Sequence, residues 1–462
     1  LYYPNVFTIA NINMSSSAYI EESDDARRQM QSFFAMAQLG YKESLYLDVT
    51  ARNDWSSTLA FTERKSRGFF YPSVGLSWII PKSFSMPSLI SFGKVRASWS
   101  KVGNDIPLFV SNTVGHIAAG GIPQPNDTAP FGTLKPEMSS SFEIGTEWKF
   151  FDYRMDVDLT FYKTNTKNQL FSLPSSAGAA YKYYFVNAGN IQNMGVELTL
   201  GAVPILTNQF KWNTTLNFSR NKNEVKKLHD DLASFIQGDE GFSSSYTMRL
   251  VEGGSFGDIY GKAFERDKYG AIVYGRDGLP QEIGSGNTAK VGNCNPAFLL
   301  GWGNSFTYKD FSFYFLIDGH FGGDVLAQTQ AVLDQTGVSK VSGEARTMGY
   351  VDLEGHHIYN IKGFYEQVGG RNGVTEYYMY DATNIRLREF SLGYTLPKRL
   401  LGRKQFVKKA ELSFVARNLF FIYKKAPFDP DAVLSASNSN QGIDIFGIPT
   451  TRSVGFNVKL SF

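Results

Sequence analysis

The last ten residues, SVGFNVKLSF (453–462), alternate between polar and apolar side chains up to the C-terminal residue. Strand side chains alternate with a period of two, so the apolar set falls on one face of an extended strand and the polar set on the other. The apolar set is Val454, Phe456, Val458, Leu460 and Phe462. The pattern predicts a strand with one face against lipid and the other against a polar lumen.

The same alternation recurs along the chain, as in LYLDVTARND (45–54), SFEIGTEWKF (141–150) and FKWNTTLNFSR (210–220). We expect about 13 such strands in all. Aromatic residues make up 15% of the sequence, with 38 Phe and 25 Tyr. No stretch approaches the roughly 18 to 20 apolar residues that a membrane-spanning helix needs. Apolar character is therefore carried by alternation, which favours one large β architecture.

The connections between these strands differ in length at their two ends. Minimal turns are predicted at 40–44, 150–154 and 307–311, whereas long connections are predicted at 103–139, 165–192, 220–297, 319–383 and 419–451. This segregation is typical of an antiparallel up-and-down transmembrane β-barrel of the outer membrane, with short periplasmic turns and long extracellular loops. We expect the barrel to occupy 30–462, with the C-terminus periplasmic. Residues 1–29 are expected to be an extracellular loop or a segment that leads into the barrel.

Charge and cysteine content exclude several classes of protein. The formal net charge of +3 has both signs interspersed, and no basic block suggests nucleic-acid binding. A single cysteine, Cys294, excludes an internal disulfide and a cysteine-rich metal cluster. The first residues, LYYPNVFTIA, lack an initiator Met and a signal peptide. Since bacterial single-chain barrels use even strand numbers, we expect an N-terminal part to be missing.

Several segments, in this order, resemble the barrel of SusC/RagA-type TonB-dependent transporters of Bacteroidetes. They include ARNDWSSTL (51–59), FFYPSVGLSWIIPKSF (69–84), KVRASWSKVGND (94–105), NAGNIQNMGVELTL (187–200) and NIRLREFSLGYTLP (384–397). Each motif is weak alone, but the ordered set covers nearly the whole chain. Two loops depart from the family pattern, at 53–58 and at Asp429-Pro430-Asp431, where relatives often carry Asp-Pro-Glu.

The resemblance implies a barrel of 22 strands that encloses a plug. The chain would then be its C-terminal part, without the TonB box, the plug and about nine strands. It also implies several partners: a SusD-like surface lipoprotein, the TonB-ExbB-ExbD motor acting through the missing N-terminal part, and outer-membrane lipid. The implied substrates are oligosaccharides or oligopeptides.

Catalytic and metal-binding patterns are weak, and we predict no catalytic residue, cofactor or metal ligand. Glu143 and Glu147 share a strand face, but four strand residues span about 13 Å, beyond glycosidase carboxylate separations. The adjacent His356 and His357 have no spaced partner of the kind that zinc sites use. In DKYGAIVYGRDG (267–278) the calcium-ligand spacing fails, although bound Ca²⁺ in this acidic loop stays an open alternative.

Ring-rich loop segments are better candidates for binding. The residues are Tyr181, Tyr183, Tyr184 and Phe185 in one segment, and Tyr377, Tyr378 and Tyr380 in another. Rings beside Asn, Asp and Arg suit stacking on sugars or contact with peptide. Packing against a partner lipoprotein or within the loop core are alternatives. Phe462 is expected to act as an assembly signal.

These observations predict the barrel portion of an outer-membrane nutrient importer that breaks no bond in its substrate. One alternative is a structural or adhesive barrel whose loops bind surface ligands without active transport. A secreted β-rich glycan-active enzyme is disfavoured by the lipid-facing strand pattern and by the absence of a suitable acid pair.

Overall fold

The computed structural model describes thirteen stretches of the chain. They are 27–62, 68–111, 116–118, 122–124, 126–129, 131, 134–175, 178–229, 234–236, 244–286, 288–401, 406–434 and 440–462. The segment expected to lead into the barrel, 1–29, lies outside the described residues except for its last three.

In the described part of the chain, 13 strands form one antiparallel sheet in which neighbours in sequence are neighbours in space. They are β1 (Met30–Tyr41), β2 (Leu45–Ser56), β3 (Gly68–Ile79), β4 (Ile90–Asn104), β5 (Glu137–Phe150), β6 (Met155–Pro174), β7 (Tyr183–Leu206), β8 (Phe210–Lys227), β9 (Phe298–Tyr308), β10 (Phe311–Phe321), β11 (Asn384–Thr395), β12 (Lys409–Lys424) and β13 (Ser453–Ser461). β1 and β13 form the two edges. The predicted all-β, up-and-down architecture is confirmed.

Cross-strand register places the apolar residues of neighbouring strands side by side. Phe456 of β13 lies opposite Phe414 of β12, which lies opposite Leu392 of β11. The ring centroids of Phe414 and Phe456 are 5.6 Å apart, and those of Phe390 and Phe414 are 6.3 Å apart. Phe456 is nevertheless 77% exposed in this chain. The alternating apolar set thus forms one continuous outer face suited to lipid.

The short turns lie at one end of the sheet. They are 42–44, 151–154, 207–209 and 309–310, and residues such as Lys42, Asp152 and Lys309 adopt the left-handed backbone conformation there. The connections at the other end include 105–136, 175–182, 228–297, 322–383 and 425–452. Two connections on the short-turn side are longer and carry the 3₁₀ turns Ile80–Lys82 and Lys398–Leu400.

The connection between β6 and β7 is much shorter than the predicted loop at 165–192. The two strands stay paired as far as Pro174 and Tyr183, which leaves only 175–182 between them. Within this pairing, Asn168 and Gly189 both have a positive φ, at 59° and 85°. Left-handed residues interrupt the alternation of side chains along a strand. The sequence pattern therefore stops at this point, although the two strands continue.

The long connections carry secondary structure of their own. Their strands are His116–Ala118, Ile122–Gln124, Ser234–Ile236, Tyr246–Val251, Asp258–Gly261, Ala263–Phe264, Glu282–Ile283, Ala289–Asn293, Asp324–Ala327, Val351–Leu353, His356–Ile358, Met379–Asp381 and Ile443–Asp444. Their helices are α1 (Gln328–Gln335), α2 (Lys340–Met348) and α3 (Ile361–Val368), with 3₁₀ turns at Ser57–Leu59 and Thr375–Tyr378. None of the helices in the described residues is both long and apolar enough to cross a membrane.

Local capping explains where two of these helices begin and end. The Ser339 hydroxyl accepts a hydrogen bond from the backbone N–H of Ser342 at 3.0 Å, and α2 ends at Gly349 in the left-handed conformation. The Asn360 side chain caps α3 by accepting from the Gly363 N–H at 3.0 Å. Side-chain oxygens of this kind satisfy backbone donors that a helix start leaves unpaired.

The described residues of 244–296, 322–382 and 440–447 pack into one body, which we call the loop unit. Their shared apolar core includes Met248, Leu326, Phe364 and Ile443, each at most 1% exposed. Leu326 pairs with Met379 on one side and with Ile443, in parallel, on the other. Three separate connections between barrel strands are therefore joined in a single folded unit.

Candidate functional site: the polar wall and the loop unit

Charged side chains on the polar face of the sheet pair with one another. The Arg96 guanidinium lies 2.9 Å from Asp158 and 3.6 Å from Glu143, each on a different strand. Glu147 instead pairs with Lys149 at 3.3 Å. Glu143 and Glu147 therefore each pair with a different cation. This arrangement favours a charge-balanced wall and not a pair of catalytic carboxylates acting on one substrate.

The first group of candidate rings lies at the far end of β6 and β7. Tyr181, Tyr183 and Tyr184 are 38%, 45% and 40% exposed, whereas Phe185 packs against the apolar cluster that holds Phe69. The loop is held in place by the adjacent Lys182, whose ammonium lies 2.8 Å from the carboxylate of Asp127. Three of the four rings thus remain accessible for contact with a ligand or a partner.

The second group of candidate rings lies inside the loop unit. Tyr378 is 1% exposed and Tyr377 packs on Phe364 with ring centroids 5.2 Å apart. Tyr380 is half-buried against Phe428 at 5.7 Å. Of the alternatives that the sequence left open for these rings, we propose the loop-core role for Tyr377 and Tyr378.

The Tyr378 hydroxyl donates a hydrogen bond of 3.1 Å to the buried carboxylate of Asp334. Asp334 also accepts from the side chains of Gln330 and Ser339. Burial raises the pKa of Tyr378 and that of Asp334. This network ties α1, the start of α2 and the Thr375–Tyr378 turn together inside the loop unit.

Replacing Tyr378 with Phe is expected to destabilise the loop unit by roughly 1–3 kcal/mol, because the buried Asp334 loses one of its donors. The measurement is amide hydrogen exchange of α1 in the full-length protein. Tyr359→Phe is the matched control, since Tyr359 is 75% exposed. Equal exchange rates in both variants would show that the hydrogen bond contributes nothing.

A buried arginine fixes the last long connection to the sheet. Arg386 of β11 is 1% exposed, and its guanidinium carbon lies 4.1 Å from the ring centroid of Phe421. It donates to Asp429 at 2.7 Å and to the Thr450 hydroxyl at 3.0 Å, and lies 3.3 Å from Asp431. We call these residues the Arg386 network. It uses both carboxylates of the Asp-Pro-Asp motif.

A second arginine extends this network along the same strand. Arg388 donates to Asp318 of β10 at 2.8 Å and to Asn418 of β12 at 3.3 Å, and shares Asp431 with Arg386. Sequence reasoning missed both arginines. The sequence did carry a signal for this network. Arg386 and Arg388 are two residues apart on a strand, and Asp429 and Asp431 are two residues apart in a later loop.

Other residues singled out in the sequence have structural contacts. His356 and His357 stack on Tyr274 and Tyr350, with ring centroids 4.0 and 3.9 Å apart. Asp267 accepts from the backbone N–H groups of Tyr269 and Ala271, so it shapes its own turn. Among the residues that the structure describes, no group of three or more His, Cys, Asp and Glu is placed to hold a metal ion.

The thiol of Cys294 lies within the loop unit. It packs against the apolar core and sits 3.6 Å from the side-chain oxygen of Gln441. Burial raises the pKa of Cys294 to about 11, so the reactive thiolate is scarce at neutral pH.

The C-terminal Phe462 stays a predicted assembly signal. Its ring contacts that of Phe406, with centroids 5.0 Å apart. Phe462→Ser is expected to lower the yield of heat-modifiable folded barrel, because the terminal apolar side chain is lost. Phe406→Ser removes the same ring contact and is the control. Equal losses in both variants would assign the effect to the contact and not to the terminal position.

Comparisons with known proteins agree with this architecture. The family model described as "TonB dependent receptor-like, beta-barrel" matches residues 2–419. TonB-dependent receptor P3 of Formosa agariphila is 26% identical over 489 residues, covering 97% of this chain and 47% of that protein. TonB-dependent receptor SusC of Bacteroides thetaiotaomicron is 22% identical over 491 residues, covering 96% and 46%.

Among solved structures, the RagAB peptide importer in its open-open state superposes with a TM-score of 0.75 at 18% identity. The match covers 99% of this chain and 49% of that chain. The closed-closed state gives a TM-score of 0.76 at 17% identity. This chain spans about half the length of the curated relatives it matches. The 13-stranded sheet and the matched model together show that the chain belongs to the TonB-dependent receptor β-barrel family of the outer membrane, and that it resembles the SusC/RagA type.

Proposed function

We propose that this chain forms the C-terminal wall of an importer that moves oligosaccharides or oligopeptides across the outer membrane. The observation that carries the proposal is a 13-stranded sheet with an apolar outer face and a charge-paired polar face, in a chain of the TonB-dependent receptor family. Members of this family are transporters and not enzymes. RagAB, whose fold this chain shares, is a peptide importer.

The sheet supports a mechanism of gated passage. A transmembrane strand needs hydrogen-bonded neighbours on both edges, so β1 and β13 would pair with further strands of the same protein. The polar face would line the lumen around a plug supplied by that remaining part. TonB, driven by ExbB and ExbD, would pull on the plug and open a path. The short turns would lie in the periplasm and the long connections outside the cell.

A SusD-like lipoprotein is the proposed surface partner. The loop unit supports this part of the proposal, because three connections joined by one apolar core form a platform that a lid can rest on. Tyr181, Tyr183 and Tyr184 add accessible rings on a neighbouring connection. Substrate would be held beneath the lid until the plug moves.

The test is uptake by cells that carry the full-length gene together with a gene for the proposed lipoprotein partner. We expect growth on an imported oligosaccharide or oligopeptide to be lost when TonB or the plug is deleted. An adhesive barrel would instead keep ligand binding and show no such dependence. Substrate uptake that is unaffected by loss of TonB would contradict the importer.

A further inference from the structure

A cavity of ≈ 670 Å³ opens at the loop-bearing ends of β4 to β7. Small-molecule sites are commonly of this size. Asn104 and Glu137 lie opposite each other in its wall. By strand alternation they share a face with Arg96 and Glu143, which pair on the polar side of the sheet. The cavity therefore faces the side that lines the lumen in the proposed function.

Two of its lining residues are fully engaged and build its frame. Asp105 accepts from Arg28 at 2.7 Å and from the hydroxyl of Ser56 at 2.6 Å. The Asn187 amide donates to the carbonyls of Lys135 and Asn168, each at 2.9 Å, and accepts from the Lys135 N–H at 2.6 Å. These contacts hold the cavity walls together and leave little capacity for a ligand.

Four other polar side chains in the lining have no hydrogen-bond partner among the residues that the structure describes. They are Asn104, Glu137, Asn168 and Gln169. The side-chain oxygen of Gln169 is buried as well as unpaired. A buried polar atom without a partner costs roughly 1–3 kcal/mol, so a native protein rarely leaves one without a use. Three amides and one carboxylate thus line one space; Gln169 supplies the buried unpaired oxygen, Glu137 and Asn168 are half-buried, and Asn104 is exposed at its mouth.

The backbone is shaped to present these groups. Asn168 and Gly189 face each other in the β6–β7 pair, both with positive φ. Beyond this pair the alternation is displaced: Ala188 and Ile191, three residues apart, pack in the same cluster as Phe171. Asn is one of the few non-glycine residues that adopt the left-handed region readily, and here it changes which side chains of β6 face the cavity.

The apolar part of the wall consists of Phe171, Phe235 and Phe256. The rings of Phe171 and Phe235 are 4.5 Å apart, and the cluster behind them is buried. Amide groups both donate and accept hydrogen bonds, as sugar hydroxyls do, and ring faces pack on the apolar faces of pyranoses. The charge of Arg28 is already matched by Asp105, so the described lining residues offer no unpaired cation to a carboxylate terminus.

From this geometry we infer that the cavity is a binding site for a neutral saccharide unit, held by Asn104, Glu137, Asn168 and Gln169 against phenylalanine rings. The inference rests on the proposed function, since it names the substrate class that the importer wall would contact. An oligopeptide is the competing occupant and becomes an outcome of the test.

The test uses the full-length protein in detergent, probed with an array of neutral oligosaccharides and with a library of short peptides. The tightest glycan is then titrated calorimetrically into Asn104→Ala and Glu137→Gln. Gln281→Ala and Glu265→Gln are matched controls, since both residues line a second cavity of ≈ 720 Å³. Unchanged heat-modifiable mobility shows that each variant is folded.

We expect a neutral oligosaccharide to bind the parent protein. Each cavity variant should raise the Kd at least about tenfold, because it removes one hydrogen bond to a charged or well-placed group. The controls should stay within about twofold of the parent Kd. Absence of glycan binding, equal affinity in the cavity variants, or binding of peptide alone would each overturn the saccharide site.

Failure of this inference is distinguishable from failure of the proposed function. TonB-dependent uptake of peptides, without binding of saccharides, would support the importer function and reject the saccharide site. Glycan binding that the cavity variants weaken, combined with uptake that ignores TonB, would support the site and reject the importer.

Discussion

Arg386→Ala is expected to release the last long connection from the sheet at a cost of about 3–5 kcal/mol, the range for removing one partner of a buried ion pair. Asp429, whose side chain is 10% exposed in the parent, would lose its guanidinium partner. The Thr450 hydroxyl would lose its donor from Arg386 as well. The measurement is amide hydrogen exchange in the described residues of 425–452 of the full-length protein.

Arg417→Ala is the matched control for this prediction. Arg417 lies on the adjacent strand β12, is 62% exposed and approaches Glu389 only to 3.8 Å. Exposed pairs of this kind contribute about 0–1 kcal/mol, so exchange in the last connection should not change. Equal protection in Arg386→Ala and the parent would contradict the role of the Arg386 network.

Acidification should loosen the same connection. Burial alone would raise the pKa of Asp429, but hydrogen bonds from Thr450 and Asp431 together with the charge of Arg386 hold that pKa below its usual value. A carboxyl whose folded pKa is lowered stabilises the fold above its unfolded pKa, and this contribution is lost as the pH falls through the folded pKa. Protease resistance of the connection should hold from neutral pH to about pH 5 and decline below about pH 4. A decline that begins near pH 7 would point to another group.

Phe456→Arg is expected to destabilise the folded barrel by about 2–4 kcal/mol, the cost of a cationic side chain on the lipid face near the bilayer midplane. Phe456 lies in the middle of β13 and packs on Phe414 with ring centroids 5.6 Å apart. The urea midpoint of the full-length protein in lipid vesicles measures the effect.

Asn457→Arg provides the control on the next residue of the same strand. Asn457 lies opposite Ser413 on the polar face. An arginine there meets water or other polar groups, so the urea midpoint should stay near that of the parent. Equal destabilisation by both arginines would mean that the two faces of β13 do not differ.

The sheet was predictable because its physics is local. In β13 every second residue is apolar, and in β5 the same alternation holds for most of the strand. An apolar period of two favours a strand with one buried or lipid-facing side. Short turns such as 151–154 stand out because nothing but a tight reversal can join strands so close in sequence. The ordered motifs then identified the family, which the comparisons confirm.

The loop unit was not predictable in the same way. α1 and α3 are only eight residues each, too short for periodicity to distinguish from irregular loop. Their stability comes from packing against residues far apart in sequence, such as Leu326 and Ile443. For the same reason, a pattern of rings could not separate the buried Tyr378 from the accessible Tyr183.

The candidate site depended on long-range contacts as well. Arg386 and Asp429 are 43 residues apart, and the pairing of β11 with β12 brings the start of the last connection, with Asp429, next to Arg386. The cavity at the loop-bearing ends of β4 to β7 forms where Asn168 and Gly189 break the strand alternation. A search for alternating apolar residues assigns that break to a loop. The amides of Asn168 and Gln169 could therefore not be recognised from the sequence as part of one cavity.

In the barrel, alternate residues of the final strands face lipid and a polar interior. The most direct test uses spin labels placed singly from Ser453 to Ser461 of the full-length protein in bilayers, in a background whose native cysteines, Cys294 included, are replaced by Ser. We expect oxygen accessibility to peak at Val454, Phe456, Val458 and Leu460, and accessibility to a water-soluble nickel reagent to peak at the residues between them. Accessibility that varies smoothly along the strand, without a period of two, would contradict it.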